Sequence, residues 1–192
     1  MSTQKIQSII ESSIAVKQQY VDDPAFLQKI NEAVTLVAKA FKDGYKVQFC
    51  GNGGSAADAQ HLAAEFSGRF YKNRKALPSD ALHCNSSYLT AVANDYSYDD
   101  IYSRLVEGTM FKGDVLIGIS TSGNSGNIVK AFEMAKSMGI VTIGFTGAAG
   151  GKMSELSDVL INVPSTDTPR IQESHILIGH IICELVEAQL FA

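Results

Sequence analysis

Paired cysteines are missing from this sequence. Its 192 residues contain three, Cys50, Cys84 and Cys183. They are odd in number, far apart and without a CxxC spacing, which excludes a disulfide framework and a structural zinc knuckle. They read as core thiols in a reducing compartment. Long apolar runs are missing too. No segment reaches about 18 consecutive apolar residues, and the opening MSTQKIQSIIESS has no apolar stretch of about 7 to 15 residues behind a basic start. The expectation is a cytoplasmic protein that is neither exported nor anchored. Basic charge is not in excess either: sixteen Lys and Arg stand against twenty Asp and Glu, a formal net charge of -4. A general electrostatic grip on nucleic acid or anionic lipid is therefore not expected, although a local anion site remains open.

What is present is an ordinary globular composition, 45% hydrophobic and 19% charged, which excludes disordered and fibrous classes. The length suits one domain over 1–192. Ile6, Ile9, Ile10, Ile14, Tyr20 and Val21 recur mostly at three and four and predict a first helix up to Val21. Asp22, Asp23 and Pro24 form a start signal, and Phe26, Leu27, Ile30, Val34, Val37 and Phe41 continue as a second amphipathic helix, ended by Asp43-Gly44. This helical pair, 1–44, has apolar faces to bury against the sheet and against another subunit. Phe26, Ile30 and Phe41 are expected to be partly interface.

From 45 to 192 the pattern is α/β. Lys46 to Cys50 reads as a strand running into Gly51-Asn52-Gly53-Gly54-Ser55 and a helix from Ala56 to Gly68. Asp114 to Ser120 repeats that logic, followed by Thr121-Ser122-Gly123-Asn124-Ser125 and a helix from Gly126 to Met138. Val141 to Phe145 and Asp158 to Val163 are further strands, the last stopped by Pro164, and a closing helix runs from Arg170 to about Leu190. Between Tyr71 and Asp99 the pattern is weak: Leu77-Pro78 marks a loop and Asp80 to Cys84 a strand. Strands alternating with helices imply right-handed crossovers. The predicted fold is a three-layer α/β sandwich, a mostly parallel central sheet with helices on both faces, preceded by two N-terminal helices. Ligands of such sheets bind beyond the strand carboxyl ends.

Three groups of residues could carry chemistry. Ser120 to Ser125 places four hydroxyls and a glycine between a buried strand and a helix start, a phosphate cradle in kind, although an ordinary capped loop uses the same residue types. His61 and Glu65 are four apart, within about 40° on one helix, which suits metal ligands or an acid–base pair as well as a plain surface pair. The last helix carries Gln172, Glu173, His175, His180 and Glu184. Gln172 is about 80° around the helix from His180, and Glu173 and Glu184 align better with it, so spacing does not choose among them.

Taken together, GNGGSAADAQHLAAE, AVANDYSYDDIYSR, DVLIGISTSGNSGNIVKA and TPRIQESHILIGH resemble the phosphoheptose isomerases of the sugar isomerase (SIS) fold group over nearly the whole chain. The resemblance implies a homotetrameric enzyme that interconverts sedoheptulose 7-phosphate and D-glycero-D-manno-heptose 7-phosphate, the first step towards ADP-heptose for bacterial surface polysaccharide. By matching motifs it implies a metal site, usually zinc, at His61, Glu65, Gln172 and His180. Asn52, Gly53, Gly54 and Ser55 with Asn94 and Asp95 would hold the sugar, as would Glu65 and Gln172. Ser120, Thr121, Ser122 and Ser125 would hold the phosphate. Pro169 stands where some relatives carry an acidic residue. Aldose–ketose isomerisation moves a proton between C1 and C2 through an enediol or enediolate, which requires a base, a proton donor and stabilisation of developing oxygen charge. Glu65 and His180 are the natural pair. The competing reading is a noncatalytic SIS protein that binds phosphosugars or a replication initiator. Relatives of that kind lack the counterparts of Glu65 and His180, and this chain has both. A third reading is an isomerase of another phosphosugar.

Overall fold

The computed structural model describes residues 2–191. Helix α1 spans Thr3–Val21 and α2 spans Pro24–Lys42. The break between them is chemical: the Asp23 carboxylate accepts from the Ala25 and Phe26 amides at 2.9 and 3.2 Å, and Pro24 occupies the first turn of α2. Then follow β1 (Val47–Gly51), α3 (Gly54–Ser67), β2 (Ser79–Ala81), α4 (Ser86–Asp95) and a 3-10 turn at Tyr98–Asp100. The chain continues through α5 (Ile101–Thr109), β3 (Val115–Ile119), α6 (Gly126–Ser137), β4 (Val141–Thr146), α7 (Met153–Leu156), β5 (Val159–Asn162) and α8 (Thr168–Leu190).

The five strands form one parallel sheet in the order β2-β1-β3-β4-β5. Its two faces carry separate cores, because alternate strand residues point to opposite sides. Val115, Ile117 and Ile119 of β3 pack with α2, α3 and α8, whereas Leu116 packs with α5 and α6. On the second face Gly118 has no side chain because Phe132 of α6 lies there: a Cβ at 118 would stand 2.6 Å from its ring. The predicted α/β sandwich with two leading helices is the observed one.

The expected strands and long helices lie within a few residues of their predicted places. The 71–99 segment differs more. Its strand is only Ser79–Ala81, and Asn85-Ser86-Ser87 starts α4, with the Asn85 side chain accepting from the Tyr88 amide at 3.1 Å. That polar triplet was a helix N-cap. Phe26, Ile30 and Phe41, expected to be partly interface, are at most 8% exposed within the chain. The uncovered apolar face belongs instead to α1, where Ile6, Ile9, Ile10, Ile14 and Val21 are exposed. Among the described residues no helix is long and apolar enough to cross a membrane.

At the centre of α8, His175 is wholly buried against Phe145. Its Nε2 lies 3.1 Å from the Thr146 carbonyl, and Nδ1 has no partner. Burial pushes this imidazole down to about 4. The unfolded chain then takes up a proton between an ordinary histidine value of about 6.5 and 4, where the folded chain does not. Stability attached to His175 is full above about 6.5 and is lost as pH falls to about 4, by up to about 3 kcal/mol. Denaturant titrations from pH 7 to pH 4.5 should show that decline, and a His175→Gln variant with an undiminished decline would contradict it.

Candidate active site

In a 2-1-3-4-5 sheet the chain leaves β1 towards one edge and β3 towards the other, which opens a crevice at the carboxyl ends of these two strands. The loops after β1 and β3 are the two glycine- and hydroxyl-rich segments picked out from the sequence. After β1, Gly53 adopts φ +57 to turn into α3, and Ser55 is buried in the first turn. After β3, Ser120 is buried with its Oγ 2.9 Å from Ser125 Oγ, and Ser122 Oγ accepts from the Asn124 amide at 3.1 Å. Gly123, at φ +66, is pressed on the Gly150 carbonyl, where a Cβ would come within 2.0 Å. The loop ends at the start of α6, where the Ile128 amide bonds the Ser125 carbonyl at 3.0 Å and, among the described residues, the Gly126 and Asn127 amides have no acceptor. Hydroxyls, free amides and the positive helix end thus face one place, as an anion requires. A cavity of about 300 Å³ adjoins it, lined by Thr121, Ser122, Gly147, Ser165, Thr166 and Thr168 among others.

The two loops are tied together. Asn52 Nδ2 donates to Asn127 Oδ1 at 2.9 Å, Asn127 Nδ2 donates back to Asn52 Oδ1 at 2.8 Å, and the Tyr98 hydroxyl adds a third bond to Asn52 Oδ1 at 3.1 Å. Nothing in the sequence motifs assigns a role to Asn127 or Tyr98. Asn127 is the second residue of α6 and reads as one more helix-start residue, and the 2% exposure that sets it apart arises only in the fold.

The ionisable cluster lies between α3 and α8. The two helices approach closely because Gly179 leaves room for Leu62: a Cβ at 179 would stand 2.5 Å from the leucine Cδ1. The next residue, His180, brings its Nε2 to 2.8 Å from His61 Nε2, and Glu65 Oε1 lies 3.4 Å from that same His61 nitrogen. All three donor atoms lie within 4.8 Å of one another. His61 and Glu65 are therefore more than a helical surface pair. Two imidazole nitrogens and a carboxylate oxygen converging at these distances fit a divalent ion, because ligands about 2.0 to 2.1 Å from a tetrahedral centre stand about 3.3 Å apart. One turn before His61, Asp58 has its carboxyl raised by burial against the opposing pull of His61 and His180. The Phe70 ring lies 5.8 Å from the His180 ring and flanks the cluster.

Gln172, expected as a fourth ligand, is not with these three. Eight residues of helix put it about 12 Å along α8 from His180. Its Nε2 lies over Gly54, 3.0 Å from where a Cβ would be, so the glycine makes room for the amide beside the sugar loop. Pro169 sits in the first turn of α8, where its missing N–H costs nothing. Asn94 and Asp95, at the end of α4, are exposed and bonded to each other at 2.9 Å. Among the described residues they make no side-chain hydrogen bond to the loops after β1 and β3.

Residues 11–147 match the SIS domain family. The chain is 54% identical to a phosphoheptose isomerase of Aneurinibacillus thermoaerophilus over 97% of its own length and 94% of that protein's. A phosphoheptose isomerase of Clostridium acetobutylicum is also 54% identical, over 97% and 95%. Among solved structures, phosphoheptose isomerase from Neisseria gonorrhoeae superposes with a TM-score of 0.90 at 39% identity, covering 96% of this chain and 98% of that one. The Francisella tularensis enzyme gives 0.92 at 34%, covering 98% and 100%. On this likeness, which runs through the cluster and both loops, the chain belongs to the phosphoheptose isomerase family of SIS-domain proteins.

Proposed function

We propose that the chain is an aldose–ketose isomerase that interconverts sedoheptulose 7-phosphate and D-glycero-D-manno-heptose 7-phosphate, the first step towards ADP-heptose in the bacterial cytoplasm. The observation that carries this reading is the convergence of His61, Glu65 and His180 in a member of this family. That convergence also favours an enzyme over a noncatalytic binding protein, which has no use for an acid–base and metal-ligating group. The whole of 1–192 is read as one SIS domain.

In this reading the Ser120–Ser125 loop anchors the phosphate through Ser120, Thr121, Ser122, Ser125 and the first-turn amides of α6. Asn52, Gly53, Gly54 and Ser55 hold the sugar with Gln172, Asn94 and Asp95. His61, Glu65 and His180 would hold one divalent ion, zinc by donor type, with a fourth position left open as catalytic sites require. Bound there, the ion would supply Lewis-acid polarisation of the sugar carbonyl. Glu65 and His180 move the protons. One takes a proton from the carbon next to the carbonyl while the other protonates the carbonyl oxygen, giving the enediol. Reversal of these roles at the neighbouring carbon and oxygen completes the exchange.

The stripe of Ile6, Ile10 and Ile14 on α1 follows a four-residue helical spacing and is exposed in the single chain. An exposed apolar stripe of this kind is suited to burial between subunits, which supports the homotetramer. Light scattering at micromolar concentration should therefore report a tetramer, and a monomer would contradict it.

The anchor contains no lysine or arginine, so phosphate affinity should reside in hydroxyls and amides. Removing both Ser122 and Ser125 hydroxyls should weaken phosphosugar binding, each lost charge-assisted bond costing about 1.5 to 3 kcal/mol. Unchanged affinity of the double alanine variant by calorimetry would remove the loop from the phosphate site.

Metal-replete protein incubated with sedoheptulose 7-phosphate should form the heptose product by NMR, and a folded protein with no turnover would overturn the proposal. In deuterated water Glu65→Gln and His180→Gln should each slow isotope exchange at C1 and C2 by at least about 10² while still binding the phosphosugar. Wild-type exchange with full metal content would take that residue out of the proton transfer.

A further inference from the structure

We propose that Asn127 and Tyr98 are positioning residues for the Asn52 carboxamide, fixing it as a hydrogen-bond donor towards an oxygen of the bound sugar. The inference rests on the reading that Asn52 belongs to the sugar site. Asn52 stands at the carboxyl end of β1, on one side of the crevice, and Asn127 at the start of α6, on the other. Two opposed amide bonds of 2.9 and 2.8 Å hold the two carboxamides as a reciprocal pair, so neither plane turns without breaking both. Asn127 is 2% exposed and has little freedom to turn. Tyr98 then adds its hydroxyl to Asn52 Oδ1 at 3.1 Å.

Counting donors and acceptors gives the polarity. Asn52 Oδ1 accepts twice, from Asn127 and from Tyr98, and one hydrogen on Nδ2 serves Asn127. The second Nδ2 hydrogen has no protein acceptor among the described residues, and Asn52 is only half buried. The free capacity of the side chain is therefore a donor. A sugar oxygen that accepts from it gains most when negative charge develops there, as it does on the oxygens of an enediolate. A bond that strengthens on the way to the transition state appears in kcat more than in KM. Because Asn127 sits two residues beyond Ser125, the same clamp sets the distance between the phosphate anchor and the donor.

Tyr98 is 53% exposed, so Tyr98→Phe removes one hydroxyl without opening the core. It should lower kcat about five- to tenfold, the order of one hydrogen bond, with KM for sedoheptulose 7-phosphate and thermal midpoint little changed. Asn127→Ala should lower kcat further. In an Asn52→Ala background Tyr98→Phe should have no additional effect, because the hydroxyl acts through Asn52. Independent, multiplying effects in this double-mutant cycle would overturn the proposal. A second readout uses no sugar: in nitrogen-15-labelled protein the Asn52 side-chain amide protons should exchange with solvent more slowly in wild type than in Tyr98→Phe or Asn127→Ala. Equal exchange in all three would also overturn it. Failure of the wild-type protein to turn over the heptulose phosphate would strike the functional reading alone, since amide exchange decides the clamp by itself.

Discussion

The spacing of α3 and α8 depends on one buried carboxylate. Glu187, two turns beyond His180, accepts from the amides of Phe70, Tyr71 and Lys72 at 3.2, 2.8 and 2.7 Å and from Arg74 Nε at 3.0 Å. Arg74 also donates to the end of α3, reaching the carbonyls of Glu65 at 2.8 Å and Phe66 at 2.7 Å. The side chains of this ion pair are 2% and 3% exposed. Burial pushes the Glu187 carboxyl up, but the three amides and Arg74 together hold it below the ordinary value. An unpaired charge in that position would cost about 3 to 5 kcal/mol, which is why such a pair persists only when nearly every donor and acceptor is used. Its geometric effect reaches the cluster. The residue whose carbonyl Arg74 holds, Glu65, also supplies the carboxylate beside His61, and the 70–72 segment gathered by Glu187 brings Phe70 against His180.

A second constraint is topological. A parallel sheet in which the chain reverses direction between β1 and β3 leaves a crevice that no crossover helix covers. The sequence fills its two sides with short polar residues and glycine because backbone must come close there: Gly123 to Gly150, and Gly54 to the Gln172 amide. Side-chain bonds then do what a helix does elsewhere. The Asn52–Asn127 pair ties the two loops above the strand ladder, and the 98–100 turn spans the same gap through Tyr98 on Asn52 and Asp100 on Lys130.

How much of this was legible in the sequence follows from what repeats and what does not. The strands at 47–51, 115–119, 141–146 and 159–162 are short, mostly apolar runs and were readable as such; the first three are buried at nearly every residue, and the edge strand at 159–162 alternates. The hydroxyl- and glycine-rich loop after β3 was readable as a strand-to-helix connection, but its composition does not separate a phosphate cradle from an ordinary capped loop. His61 and Glu65 were readable as a pair; spacing alone did not choose their partner on α8, since four polar neighbours share that helix, and the motif resemblance named His180, which the Gly179–Leu62 contact brings up to them. Helix α5 and the clamp around Asn127 and Tyr98 left little trace: a nine-residue helix has two turns in which to show a period, and a buried asparagine is spelled like an exposed one.

On the proposed reading of the Ser120–Ser125 loop as the phosphate anchor, its lack of basic residues decides how binding energy is used. Lys130, on the helix that follows this loop, is paired with Asp100 at 2.7 Å. A dianion held by hydroxyls, amides and a helix end is held by dipoles that are already in place, so its attraction depends less on salt than that of a mobile surface cation. It also changes little during a reaction that happens several carbons away. Binding of this kind is uniform between ground state and transition state and serves to place the sugar, not to lower the barrier. What lowers the barrier must act where charge changes, at C1 and C2. In the proposed reaction Glu65 and His180 are the groups that act there, whereas His175, five residues before His180 on α8, is wholly buried and kept neutral.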